Sequence, residues 1–486
     1  MYDMTDAVIA YVDAVAVLFL ITGVTIIVYS LDDVFVDVVF WSMRLFGLEA
    51  NRHPAIPEER LRSMPMRPIA VMVPAWHEHD VIYAMLKANV IHTPYVVFFV
   101  GAYPNDLATQ KEVLRAAADY PYNVKLVVGP RNGPTTKADC LNGVLRHIAE
   151  YEKGHGVEFV GCALHDSEDV VHPLEFALFN ALLDETDFIQ LPVFSFSRSL
   201  THMVAGSYMD EFAEFHNKDL VVRERLTGFI PCAGVAACFS RRAIKALSED
   251  RAEEVFDPAA LTEDYDVAFR IKKLGLRSAF IRNDASFTLD IPEGSATLTR
   301  IEQRLAIATR EYFPDDFRAA YRQRARWILG IGFQGANNLG WGDNLLERIF
   351  FLRDRKGIAS GLIAITGYFL TFNAVLIAIL TTVSDDWRIA AYVLLHPVLQ
   401  TVFLINVVLL ANRLLQRTIF TTHVYGIAQG LMAAPRVVFS NCLNFCAALR
   451  ALYIFYWRHR IEKQPLSWDK TQHTIPKGAT RALEQA

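Results

Sequence analysis

Asp166, Glu168 and Asp169 crowd three carboxylates into four consecutive positions. Side by side they repel one another unless a cation or another partner neutralises them. A hard divalent ion carrying two phosphates would do so, because Mg2+ takes one or two carboxylates and fills its other positions with substrate phosphates and water. A solvated acidic turn is the plain alternative. A second set is Thr262-Glu263-Asp264-Tyr265-Asp266, which opens a helical pattern from Val267 to Leu274. Thr262 can cap that helix, and Glu263 and Asp264 then sit in the first turn, where the helix dipole favours their ionised forms. Capping explains Thr262 and one acid. A carboxylate at a helix start can also take a proton from an attacking hydroxyl. The third set, Gln323-Arg324-Ala325-Arg326-Trp327, offers planar cationic forks for phosphate, or a basic and aromatic anchor at a membrane surface.

The elements that must hold these groups are legible between Arg67 and about Asp290. Short runs rich in Val, Ile and Phe alternate with helical patterns: Ile69 to Val73, Val96 to Val100, Lys125 to Val128, Phe159 to Leu164 and Phe188 to Leu191. Strands alternating with helices predict an α/β fold with a largely parallel, doubly wound, Rossmann-like sheet. Ligands bind such sheets where loops leave the carboxyl ends of the strands. The first strand ends in Pro74-Ala75-Trp76-His77-Glu78, the second in Gly101-Ala102-Tyr103-Pro104-Asn105-Asp106, and the fourth in the acidic cluster. Lys137 and Asn142 follow the third.

Three apolar stretches flank this region. Val8 to Tyr29 is long enough to span a bilayer, although Asp13 interrupts it; Ile358 to Val383 and Ile389 to Ala411 follow, joined by Ser384-Asp385-Asp386-Trp387-Arg388. Arg44 to Arg67, Arg353 to Lys356, and Arg413 with Arg417 place their segments on the cytosolic side, with the N-terminus and the acidic turn outside. No positive region precedes the first stretch, which argues against a cleaved signal peptide. Val424 to Trp457 is apolar but punctuated by Pro435, Arg436, Asn441, Asn444 and Arg450, and reads as helices lying in the membrane interface.

The composition agrees: 486 residues, 52% hydrophobic and 21% charged, with a mean hydropathy of +0.21. A net charge of −5 without a long basic run excludes nucleic acid as an expected partner. None of the six cysteines forms a CxxC pair or has histidines at zinc spacing, so they read as reduced core residues of a cytosolic domain.

Taken in order, the motifs from Pro68 to Trp327 resemble the inverting family 2 glycosyltransferases of the GT-A fold. The resemblance implies that Pro74, Glu78 and Asp106 hold the nucleoside, that Lys137 lies near the diphosphate and Asn142 near the sheet, and that Asp166 and Glu168 bind Mg2+ or Mn2+ and the donor sugar. Glutamate stands at Glu168 where the family's motif has aspartate, so either Glu168 or Asp169 is the second ligand, with Glu168 preferred. Asp264 becomes the general base, with Glu263 beside it. Gly234 to Arg241 resembles the segment beside the acceptor, and Gln323, Arg326 and Trp327 match the QxxRW motif of processive polysaccharide synthases. The phrases Leu164 to Pro173 and Tyr103 to Asp106 resemble a bacterial inner-membrane type of an exopolysaccharide pathway. Such proteins can bear a C-terminal domain binding a cyclic dinucleotide, for which no room is expected before Ala486.

The expected organisation is therefore a transmembrane helix and interfacial segment at 1–67, a GT-A domain at 68–330, interfacial helices with two transmembrane helices at 331–460, and a cytosolic tail at 461–486. Trp468 to His473 of that tail and Gln323 to Trp327 are candidate lids. The expected partners are a UDP-sugar, a polysaccharide or lipid-linked acceptor, membrane lipids and an outer-membrane or export partner. A single-addition transferase and a non-catalytic receptor or scaffold on the same fold are the rival readings. The expected location is the bacterial inner membrane, crossed more than once, with the catalytic domain cytosolic.

Overall fold

A computed structural model describes residues 4–48, 53–91, 93–251, 254–293 and 297–464. The expected tail, with Trp468 to His473, lies outside the described residues.

The first helix, α1, runs Met4–Leu45, 42 residues. At 1.5 Å per residue that is roughly 63 Å, about twice a bilayer's hydrocarbon thickness. Its C-terminal third, from Asp32 onward, therefore reaches the sheet domain, where Val36 and Phe40 pack with Val222, Phe350 and Phe420.

The strands appear where the β-branched runs predict them: β1 Ile69–Pro74, β2 Val96–Ala102, β3 Val124–Val128, β4 Gly161–Leu164 and β5 Phe188–Gln190, followed by β6 Val193–Ser195. The main sheet is completed by β7 Ala237–Ser240 and β8 Ser278–Phe280, in the order β3-β2-β1-β4-β7-β5-β8. The pairs β3/β2, β2/β1, β1/β4 and β5/β8 are parallel, while β7 runs antiparallel to both neighbours. Alternation along β1 splits the core between two faces. Val71 and Val73 pack with Phe98, Phe176 and Ile189, whereas Ala70 and Met72 pack with Phe99, Leu141 and Phe239. A hairpin of β9 Asp284–Glu293 and β10 Thr297–Ala306, absent from the sequence reading, precedes β11 Thr309–Glu311, which pairs with β6.

Five helices bear on the site within this domain: α2 Lys137–His155, α3 Glu175–Leu182, α4 Met203–Glu214, α5 Glu263–Lys273 and α6 Phe317–Trp327. Beyond them lie α7 Gly357–Leu380, α8 Pro397–Tyr425 and α9 Ile427–Leu452. Among the described residues four helices are long and apolar enough to cross a membrane, by length and composition: Thr5–Leu45, Gly357–Leu380, Pro397–Tyr425 and Ile427–Ile461. Two expectations change. The stretch Ile389 to Ala411 is not one helix, because a short helix Asp385–Ala390 and a 3-10 turn Ala391–Leu395 end at His396, whose backbone is extended (ψ 130°). Pro397 has no N–H to continue the preceding helix and forces His396 out of helical geometry, so it starts α8 instead.

The stretch after it forms one continuous helix rather than several. Its length suffices for a span, yet it lies along the sheet domain. At its start Tyr425, the last residue of α8, donates to the Ser195 carbonyl at 3.0 Å, and Gln429 of α9 donates to that of Arg198 at 2.5 Å. Farther along, Arg436 pairs with Asp210 at 2.8 Å and Asn444 accepts from Arg324 at 2.6 Å. At the far end Ala447, Ala451 and Phe455 pack with Leu261, Ala325 and Leu329.

Thr5 at the start of α1 donates to Asp386 at 2.8 Å. At the opposite level Arg353 and Lys356 pair with Asp32 and Asp33 at 2.5–3.1 Å, beside the sheet domain. The start of α1 and the acidic turn therefore share one end of the bundle, and the basic segment Arg353 to Lys356 lies at the other.

Candidate active site

A cavity opens at the carboxyl ends of β1 and β4. Its walls include Pro74, Glu78, Lys137, Asp166, Glu168, Glu263, Asp264, Gln323, Arg326 and Trp327, which is every expected site residue except Asp106.

The β1 loop turns sharply at His77, a non-glycine residue at φ 56°. The turn is held from behind. Asp106, 2% exposed, accepts from the His77 N–H at 2.6 Å and from the Thr109 N–H at 3.3 Å, capping the next helix. These bonds draw its carboxyl below its usual range against the cost of burial. Asp106 thus supports the loop rather than walling the cavity. The β3–α2 loop closes over the same place, and a Cβ on Gly133 would sit 2.5 Å from the Trp76 ring, so only glycine allows the approach.

Helix α2 starts at Lys137, and Thr136 caps it by accepting from the Asp139 N–H at 3.2 Å. The Lys137 ammonium sits 2.6 Å from Asp166 Oδ1. Burial opposes its charge, but Asp166, Glu263 and Asp264 hold it protonated.

The acidic cluster divides by direction. Asp166 and Glu168 face the cavity. Asp169 is fully buried and turns back, accepting from the Asp166 N–H at 3.0 Å and lying 3.0 Å from His165 Nδ1. Of the two acids between which the sequence left the choice open, Glu168 is on the cavity side. Ser167 between them donates to the Pro74 carbonyl at 3.1 Å, tying this loop to that of β1. Two carboxylates fit a hard divalent ion that takes its remaining oxygens from a diphosphate and water. No group of three or more His, Cys, Asp or Glu side chains is gathered for a metal among the described residues.

At α5 the capping explanation weakens. Thr262 occupies the N-cap position, but its hydroxyl caps nothing; a Cβ on Gly330 would sit 2.6 Å from it, so it packs against that glycine. Asp264 accepts from the Tyr265 N–H at 2.7 Å. Across from it, Gly234 lies at φ 81°, and a side chain there would come 2.7 Å from Asp264 Oδ2. Burial raises Glu263 to about 7, helped by the charge of Asp264, and burial also raises Asp264, against the pull of Lys137 and Arg326.

Helical spacing places Gln323, Arg326 and Trp327 on one face of α6, and all three wall the cavity. Arg324 points away, donating to Glu211 at 2.9 Å and Asn444 at 2.6 Å. Of the two arginines in this segment, only Arg326 walls this cavity. Sequence reading missed Tyr103, Phe212, Glu311 and Phe313 as cavity walls. Phe212 lies on α4 and Glu311 ends β11, two elements without a recognisable motif.

A second cavity begins where the first ends. Phe212, Ala233, Thr262, Asp264 and Trp327 wall both. It rises between α1, α7, α8 and α9 past Thr22, Ile26, Gly367, Phe403 and Asn406. Beyond Phe19, Leu370 and Thr371, the apolar residues Val12, Val15, Ile377 and Ala390 pack together.

A nucleotide-type sheet, a cavity of acids at its strand ends and QxxRW beside a membrane-length bundle define a membrane-associated glycosyltransferase. The family described as "Glycosyltransferase like family 2" matches residues 65–330, more than half of the chain, and the chain belongs to it. It is 40% identical over 468 residues to "Bacteriophage adsorption protein B" of Escherichia coli (strain K12) and, equally, to "Bacteriophage N4 adsorption protein B" of Escherichia coli O157:H7. Each match covers 95% of this chain and 62% of the relative, so the chain spans less than two thirds of their length. Among solved structures, a mannosyltransferase from Pyrobaculum calidifontis in complex with GDP-Man and Mn2+ is similar at 14% identity and a TM-score of 0.49, over 91% of this chain and 99% of that one. Glucosyl-3-phosphoglycerate synthase from Mycobacterium tuberculosis with Mn2+ and UDP-glucose is similar at 14% identity and a TM-score of 0.29, over 54% of this chain and 95% of that one.

Proposed function

We propose that the chain is an inverting, processive glycosyltransferase of the bacterial inner membrane that moves sugar from a cytosolic UDP-sugar to a growing exopolysaccharide. One observation carries the reading: Asp264 and Trp327 wall both the strand-end cavity and the cavity rising into the bundle. A hydroxyl arriving from the membrane side meets its base at the junction.

In this reading Pro74 and Glu78 flank the nucleoside, with Asp106 fixing their loop from behind. Lys137 and Arg326 face the diphosphate. Asp166 and Glu168 hold a divalent cation which, when bound, offsets charge developing on the departing nucleotide. The acceptor oxygen attacks the anomeric carbon from the side opposite the diphosphate, and the bond from that carbon to the diphosphate oxygen breaks. The acceptor proton passes to the Asp264 carboxylate. Trp327 offers a flat ring on which the new sugar rests before it advances. Helix α9, bound along the domain, lies in the interface and seats the domain on the bilayer.

The second reading is single addition to a lipid-linked acceptor. The aliphatic walls Ile26, Ile363, Val407 and Leu410, and the apolar packing beyond them, favour it. Incorporation of radiolabel from a panel of UDP-sugars into purified membranes, followed by product sizing, decides. Long chains support processive synthesis, one added sugar in the lipid extract makes this a lipid glycosyltransferase, and no incorporation from any UDP-sugar refutes both. A cysteine replacing Ser384 should label from outside intact cells; labelling only after permeabilisation would invert the topology.

A further inference from the structure

His165 stands directly behind the acidic loop, fully buried, and neither ring nitrogen meets solvent. Its Nδ1 lies 3.0 Å from Asp169 Oδ2, the same oxygen that receives the Asp166 N–H. On the other side its Nε2 lies 3.1 Å from Glu175 Oε1, an ion-pair contact off the line of a hydrogen bond. Glu175, also fully buried, accepts from the Thr309 hydroxyl at 2.9 Å through its other oxygen. Thr309 begins β11, which ends at the cavity residue Glu311 and leads into α6, the helix of Gln323, Arg326 and Trp327.

A buried chain therefore runs from the Asp166 backbone through Asp169, His165 and Glu175 to Thr309. It joins three segments that come together only in the folded protein. Two buried carboxylates facing one ring are costly without a cation between them. A hydrophobic core would be the simpler filling for the position. None of these four side chains walls the cavity.

We infer that His165 is a positioning residue: it fixes the direction of Asp166 and Glu168 for a divalent ion and couples that loop, through Glu175 and Thr309, to the strand that leads into α6. It touches neither donor nor acceptor. The inference rests on the proposed metal role of Asp166 and Glu168. Outer partners of metal ligands are worth about ten- to a hundredfold in affinity.

The test is Mn2+ binding to the full-length purified protein with UDP, read by the loss of the free-ion electron paramagnetic resonance signal, alongside a melting curve. His165→Gln should raise the half-saturating Mn2+ concentration by about tenfold or more. UDP binding without metal should stay unchanged. Glu175→Gln can keep the one oxygen that faces His165 at 3.1 Å and that the Thr309 hydroxyl also reaches at 3.2 Å, and should bind Mn2+ nearly as the parent does, whereas Glu175→Ala should not. Should the His165 variant fail to fold, Thr309→Val breaks only the far link and is expected to weaken Mn2+ binding by about threefold, a smaller share of the same effect. Parental Mn2+ affinity in folded His165→Gln or in Thr309→Val, with only the melting temperature lowered, overturns the inference. Absence of Mn2+ binding by the parent protein itself would instead refute the metal reading.

Discussion

Around the strand-end cavity, like charges are brought together: Asp166, Glu168, Glu263 and Asp264 share one space, with Lys137 among them. Around the base of the bundle cavity, acids meet bases. Asp210 meets Arg436, Asp219 meets Arg353, and Glu214 meets Lys218, Arg413 and Arg417. Glu263 in the first region and Asp210 and Glu214 in the second are all buried, and what differs is the arrangement of their neighbours. Crowded acids have affinity for positive charge, whether a cation or a proton. Paired charges have spent theirs on each other, and they fix helices in place. The contrast predicts that the two sets respond differently to substitution.

The largest effect should come from removing what the crowded acids await. EDTA is expected to abolish transfer, with Mg2+ or Mn2+ restoring it, and Asp166→Ala should weaken UDP-sugar binding only when metal is present. Metal-independent transfer would break the contrast. Next, Asp264→Asn should leave UDP binding intact yet lower turnover by roughly a thousandfold, within the range of general base catalysis. Retention of more than a tenth of parental turnover would remove Asp264 from the role.

On the paired side the sign of the experiment reverses. Arg436→Met leaves Asp210 buried without its partner, and breaking such a pair costs roughly 3–5 kcal/mol of stability. Molecules that remain folded should bind UDP normally. A loss of UDP affinity at unchanged melting temperature would place Arg436 among the acting groups. Trp327 tests the junction itself. Trp327→Ala should shorten or abolish the product while UDP binding survives, and Arg326→Lys should weaken UDP retention, because an ammonium does not reproduce a planar fork. Parental chain lengths from Trp327→Ala would make the ring an interfacial anchor.

Much of this was legible because it depends on local chemistry. Ile69 to Val73 and Val96 to Val100 are β-branched runs that form strands wherever a sheet can bury them. The acids at Asp166, Glu168 and Asp264 declare themselves by crowding or by position at a helix start. What stayed hidden depends on direction. The sequence has no way to say that Asp169 turns inward while Glu168 turns outward, nor that Arg326 faces the cavity and Arg324 does not. Nor does it say that Asp106, expected among the nucleoside contacts, holds the His77 turn from behind. Glu311 and Phe212 reach the site from β11 and α4 through long-range packing. The break at His396 was readable from Pro397, but a continuous apolar pattern outweighed it. The long fourth helix illustrates the limit of composition: its length permits a crossing, while its contacts from Gln429 to Phe455 run along the domain.

The smallest expected effect concerns the neighbour of the base. Glu263 and Asp264 are adjacent, and the contrast is sharpest if only one of them takes the acceptor proton. Burial and the charge of Asp264 raise Glu263 from 4.5 to about 7. The folded protein therefore keeps a proton there that the unfolded chain releases. By linkage, stability should fall as pH rises from about 4.5 to about 7, since the folded state binds more protons across that window. Transfer should rise over the same window, as protons leave the pair and Asp264 becomes free to accept one. Glu263→Gln removes the titrating neighbour while keeping a polar side chain of similar size. It should flatten the dependence of melting temperature on pH between those limits, shift the acid limb of the transfer profile to lower pH, and cost no more than about tenfold in turnover. Melting curves and initial rates from pH 5 to 8 on the parent and this variant check each slope. A thousandfold loss from Glu263→Gln, equal to that from Asp264→Asn, would show that the two acids act as one unit and that the assignment of the base to Asp264 alone is wrong.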